Sequence, residues 1–213
     1  MKKLYRYYER GRSPKGFWGG RTLLAMNGKE HAAMPEWALA ELKINPGDHV
    51  LDIGCGGGAN ISRMLSMCPE CMVRGVDLSK KALEYATDLN FKAVKDGQCV
   101  IVGGSATQLP LAKSIYNVVT AFETIYYWPT IASGFSEALR VLKPGGTFLV
   151  ANELDGEGQE YRDMERAIGG IRIYTIEEIE QQMEELGFVD IKSRHDEERH
   201  FICVMARKPK DKN

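Results

Sequence analysis

The chain has 213 residues, enough for one well-packed domain with a modest appendage and too few for two full domains. Its 28 basic and 29 acidic residues give a net charge of -1, so no global positive field exists to hold a polyanion, and nonspecific nucleic-acid binding is disfavoured. With 44% apolar and 27% charged residues a real core can form, and no apolar run approaches the ~18 residues that span a bilayer. The opening MKKLYRYYERGR lacks the apolar stretch of a signal peptide, so a cytoplasmic protein without membrane attachment is expected. The five cysteines (Cys55, Cys68, Cys71, Cys99 and Cys203) are odd in number and scattered, which argues for reduced thiols. Cys68 and Cys71 have C-x-x-C spacing, but no second pair completes a tetrahedral site, and no metal is expected.

Residues 1–45 begin basic, carry the Gly-rich GFWGG run, and then an amphipathic stretch around Pro35 to Leu42; they read as an N-terminal helical appendage. Residues 46–208 read as one α/β domain and 209–213 as a tail. His49 to Ile53 is a short buried strand running into a glycine cluster, with a helix from Asn60 to Met67 behind it. A second strand spans Met72 to Asp77, and Ser79 is placed to cap a helix carrying Ala82, Leu83 and Ala86. Cys99 to Val102 and Tyr116 to Ala121 give strands three and four. Ile131, Phe135, Ala138, Leu139 and Leu142 form one apolar helical stripe, which KPGG should end before a fifth strand from Thr147 to Ala151.

The polar stretch from Asn152 to about Tyr174 is long for a connector and reads as a loop of the kind that serves as a lid. Thr175 and Glu178 form a capping-box pattern for a helix reaching the Gly187 stop. Phe188 to Arg194 and Phe201 to Ala206 are joined by only a short charged turn, so they must pair antiparallel.

Glycines between a strand and a helix let the chain turn tightly and a ligand approach the backbone closely, as in Asp52-Ile53-Gly54-Cys55-Gly56-Gly57-Gly58. About 20 residues on, Asp77 ends the next strand, where a carboxylate accepts hydrogen bonds from both hydroxyls of a ribose. Together the two features point to a nucleoside cofactor. Gly54, Gly56 and Ala59 also satisfy the dinucleotide pattern, but Asp52 ahead of the turn suits a cationic ligand better than a pyrophosphate. None of the nine tyrosines has a lysine four positions on, so hydride chemistry has no acid/base couple, and the last strand pair is an addition a plain dinucleotide fold does not need.

These residues resemble the class I S-adenosylmethionine-dependent methyltransferases over His49 to Lys208. VLDIGCGGG is similar to that family's first motif, GVDLS to its ribose-binding motif, YNVVTAFETIYYW to its fourth-strand motif, and ALRVLKPGGTFLV to the segment before its fifth strand. The resemblance implies an α/β, Rossmann-like, mostly parallel seven-stranded sheet with an antiparallel last strand and an N-terminal helical lid. It implies S-adenosylmethionine as cofactor, S-adenosylhomocysteine as product, and a small-molecule methyl acceptor handled by a monomer or homodimer.

Carried over by position, Gly54, Cys55, Gly56 and Gly58 line the methionine and ribose segment, Asp52 lies near the methionine amino group, Asp77 holds the ribose, and Leu78 packs on the adenine. Ser105 and Ala106 stand where an acid and an alanine often meet the adenine edge. Glu123 either orients the methionine end, acts as a base, or caps the next helix; Tyr126 is the other catalytic candidate. Tyr126, Tyr127, Trp128, Phe17, Trp18 and His31 are the candidates for acceptor contact, with His31 a possible base because imidazole titrates near neutrality. A cofactor-binding regulatory module without transfer, or an RNA or protein methyltransferase, are the alternatives; the neutral charge weighs against the latter.

Overall fold

The computed structural model describes Gly28 and residues 31–211; Phe17 and Trp18 lie outside the described residues. Strands β1 (His49–Ile53), β2 (Met72–Asp77), β3 (Cys99–Gly103), β4 (Tyr116–Phe122) and β5 (Leu142–Asn152) alternate with helices. These are α1 (Ala33–Leu39), α2 (Ala59–Met67), α3 (Lys80–Leu89), α4 (Phe91–Lys95) and α5 (Ile131–Val141). Helices α6 (Gln159–Ile168) and α7 (Ile176–Glu185) and strands β6 (Val189–Asp196) and β7 (Phe201–Arg207) complete the order. The sheet runs β3-β2-β1-β4-β5-β7-β6. Pairings from β3 to β5 are parallel, and β7 is antiparallel to both of its neighbours. This is the seven-stranded arrangement read from the sequence.

Because side chains alternate along a strand, each face of the sheet gains its own core. Leu51, Ile53, Val119, Ala121, Phe148 and Val150 pack with Phe135, Ala138 and Met183 of α5 and α7. Val50, Val73, Val118 and Leu149 pack on the other face with Met34, Ala38 and Leu39 of α1 and with Ile61 and Met64 of α2. Residues 33–42 thus share the core of the α/β unit.

Three details differ from the sequence reading. Helix α5 stops at Val141, and Leu142 already pairs with Tyr116 in β5; Gly145, with φ of 77°, sits in a bulge where the register shifts, so KPGG is an irregular strand segment and not a helix cap. The stretch after Asn152 holds α6, whose Tyr161 and Met164 bury against Tyr126, Leu154, Ile171 and Ile173, so it is a packed helix and not an irregular loop. The short α4, without a buried residue, carries no apolar stripe that would have announced it.

Candidate functional site

The order of the sheet reverses between β1 and β4, and there the carboxyl ends of neighbouring strands diverge and leave a crevice. The glycine turn after β1 forms its floor. Gly54 and Cys55 both donate to the Val76 carbonyl, at 2.7 and 3.1 Å, which folds the turn back over β2. A Cβ on Gly54 would fall on the Thr124 side chain, whereas one on Gly56 would have nothing within 4 Å. Gly56 therefore presents bare backbone to open space.

Asp77 faces that space. Its Oδ2 accepts from the Gly56 amide at 3.0 Å and its Oδ1 from the Ser79 amide at 2.8 Å. Burial raises its pKa above the usual carboxylate value, against the lowering effect of the Ser79, Gly56 and Leu78 amides. Ser79 also caps α3 through Ala82, as read from the sequence. A cavity of about 320 Å³ opens here, with Gly54, Gly56, Asp77 and Leu78 on one side and Ser105, Ala106, Glu123 and Tyr127 among the residues of the other. Leu78 is 78% exposed at the rim. The Ser105 hydroxyl is engaged with Thr107, 3.0 Å from its Oγ1 and 3.3 Å from its amide.

Asp52 differs from expectation. It is 1% exposed on β1, lines neither this cavity nor the smaller one of about 50 Å³ beside it, and accepts from the Thr120 hydroxyl at 2.8 Å. Burial pushes its pKa up to about 7, against the Thr120 bond and with added repulsion from Asp77. The Cys55 thiol lies against Gly75 of β2, and burial first, then Asp52 and Asp77, push it well above its ordinary pKa.

Glu123 follows β4 in a left-handed conformation, φ of 53°, that is costly for a residue with a Cβ. Its Oε1 accepts from the Glu153 amide and from the Tyr126 hydroxyl at 3.1 Å, so it does not cap the next turn. Tyr126 is 1% exposed, also bonds the Leu154 amide at 3.3 Å, and lines neither cavity. The expectation that it walls an acceptor pocket is corrected: it braces Glu123 from below, because its ring is a member of the α6 core. Trp128 reaches the cavity only with part of a ring packed onto Gly134 and edge-on to Phe135, its indole N–H donated to Thr124 at 3.3 Å. His31 does come to the site: its Nδ1 is 3.1 Å from Glu153 Oε1.

Sequence reasoning missed Thr120, Thr124, Glu153 and Asn90. Asn90 is buried and donates to the Gly58 carbonyl at 3.0 Å, fixing the end of the glycine turn. Of these only Glu153 carried a signal, standing directly after β5 at the carboxyl edge.

A glycine turn after β1, a carboxylate at the end of β2 and a crevice at the strand reversal belong to a Rossmann-like fold of the methyltransferase type. Residues 51–150 match the family model described as a methyltransferase domain. The 27-O-demethylrifamycin SV methyltransferase of Amycolatopsis mediterranei is 32% identical over 152 residues, 68% of this chain and 56% of that protein. An uncharacterized methyltransferase of Bacillus subtilis, YdaC, is 25% identical over 84% of this chain and 94% of its own length.

Among solved structures, a geranyl diphosphate C-methyltransferase from Streptomyces coelicolor superposes with a TM-score of 0.73 at 16% identity, covering 92% of this chain and 85% of that one. A methyltransferase solved with the Haloferax volcanii Trm112 activator gives 0.76 at 19% identity, covering 88% and 93%. The chain belongs to the class I S-adenosylmethionine-dependent methyltransferases. It spans a little over half the length of the rifamycin relative. No helix among the described residues is long and apolar enough to cross a membrane.

Proposed function

We propose that this chain transfers a methyl group from S-adenosylmethionine to a small-molecule acceptor. One observation carries the cofactor assignment: Asp77 is held by two backbone amides beside the bare backbone of Gly56, with no lysine or arginine among the described residues lining the cavity. A sulfonium-bearing nucleoside fits such a wall. Asp77 takes the ribose hydroxyls, Gly54, Gly56 and Gly58 pass the methionine segment, and Leu78 covers the adenine face. Ala106 and the Ser105 backbone meet the adenine edge, because the Ser105 hydroxyl is occupied by Thr107. Glu123, fixed by Tyr126, faces the methionine end. Asp52 acts from beneath the turn.

The bound cofactor supplies an already activated methyl group, so the chain's own task is to orient an acceptor, exclude water and manage a proton. The rifamycin and sterol methyltransferases among the relatives support a small-molecule acceptor. Titration calorimetry with S-adenosylmethionine, S-adenosylhomocysteine and NAD tests the assignment. The first two are expected to bind and NAD not, and Asp77→Ala is expected to weaken both by roughly 1.5–3 kcal/mol, the worth of a charged hydrogen bond. NAD binding alone would reverse the reading.

A further inference from the structure

Beside the nucleoside cavity lies a smaller one of about 50 Å³ that shares Gly54, Gly56, Phe122 and Glu123 with it as lining. His31 and Glu153 form its outer wall. The His31 Nδ1 stands 3.1 and 3.2 Å from the two Glu153 carboxylate oxygens, and the Glu153 amide is tied to Glu123. An imidazole whose Nδ1 hydrogen is held by a carboxylate has its basic nitrogen at Nε2. Across both cavities the charged side chains among the described lining residues are Asp77, Glu123 and Glu153, with no lysine or arginine. An acceptor that brings an anionic group to the side chains of Glu123 and Glu153 would meet like charge, whereas a hydroxyl or an amine would meet hydrogen-bond acceptors.

We propose that His31, oriented by Glu153, is the proton acceptor of the transfer, and that the methyl acceptor is a neutral or cationic molecule whose reacting oxygen or nitrogen carries a hydrogen. This rests on the methyl-transfer reading. His31 Nε2 takes the acceptor's proton, and the oxygen or nitrogen lone pair forms the new bond to the methyl carbon. The carbon–sulfur bond breaks with its electron pair left on sulfur, and the imidazolium returns its proton to water. Glu153 is the positioning residue and His31 the catalytic one.

Sinefungin probes this without an acceptor, since it carries a protonated amine where S-adenosylmethionine carries its methyl group. Calorimetry on the full chain with sinefungin and S-adenosylhomocysteine is expected to show Glu153→Gln weakening sinefungin by about tenfold, with S-adenosylhomocysteine within about twofold, because only sinefungin places a cation there. His31→Asn, which keeps an N–H for Glu153 but offers the amine no acceptor nitrogen at the Nε2 position, is expected to weaken sinefungin severalfold more than S-adenosylhomocysteine. An unchanged ratio of the two affinities in either variant overturns the proposal. Binding of neither ligand by the unmodified chain overturns the methyl-transfer reading beneath it.

Discussion

Gly54 and Gly56 stand two residues apart with φ of 72° and 52°, yet a side chain is excluded from them for different reasons. At Gly54 a Cβ would collide with Thr124 inside the protein, and at Gly56 it would enter open space where a ligand belongs. Gly54→Ala is therefore expected to cost stability by about 2–4 kcal/mol, overpacking added to left-handed strain. Gly56→Ala is expected to cost only about 1–2 kcal/mol, the strain alone, yet to reduce S-adenosylhomocysteine affinity more than tenfold. Urea denaturation and calorimetry on the same two variants separate these effects; equal stability losses would refute the distinction. These glycines and Asp77 were legible in the sequence because their chemistry is set by spacing along one strand-turn-helix unit. Thr120, 68 residues from its partner Asp52, and Asn90, 32 residues from Gly58, were not, because only the folded sheet brings them near.

At the scale of elements, legibility followed the strength of the local pattern. Helix α7 begins where Thr175 and Glu178 complete a capping box, and β6 and β7 pair as their short connection demands. Helix α6 was read as loop because its flanking glycines and polar surface outweigh two buried side chains, Tyr161 and Met164, whose partners come from Tyr126 and the segment after α6. Its approach is anchored by Asp155, whose Oδ2 meets His200 Nδ1 at 2.8 Å and His195 Nε2 at 3.2 Å, tying the connector to β6 and to the turn that leads into β7. Burial pushes the Asp155 carboxyl up, but the bonds from His200, the Glu157 amide and His195 outweigh it and hold it below the ordinary value. A depressed carboxylate stabilises the fold above its unfolded pKa and loses that effect as pH falls through the folded value. Asp155→Asn is expected to destabilise by about 1–3 kcal/mol at pH 7, as removal of a buried charged partner does. It should speed hydrogen exchange in 159–168 more than in β5, with the difference from the parent protein fading below about pH 4. Equal exchange in both elements would show that the anchor serves the whole fold and not α6.

For the molecule as a whole, the parallel order that gathers strand ends into one crevice also sets carboxylates at poorly solvated positions. Asp52 and Asp77 both have raised pKa values, Asp52 up to about 7, chiefly through burial. An acid whose folded pKa exceeds its unfolded value keeps a proton that the unfolded chain has lost. Unfolding free energy therefore falls as pH rises from about 4 to about 7, and stays low above that. The cost is a few kcal/mol for Asp52, since each pK unit is about 1.4 kcal/mol. On the proposed reading the same negative charge lies beneath a cationic ligand, so stability and binding oppose each other at this strand end. Asp52→Asn is expected to melt close to the parent protein at pH 4 and progressively above it from pH 5 to pH 8, while binding S-adenosylmethionine less tightly. Thermal unfolding across that range, with and without the cofactor, checks both halves. A melting difference that stays flat with pH would mean that Asp52 is already ionised in the folded chain, and that Thr120 alone suffices to hold its charge.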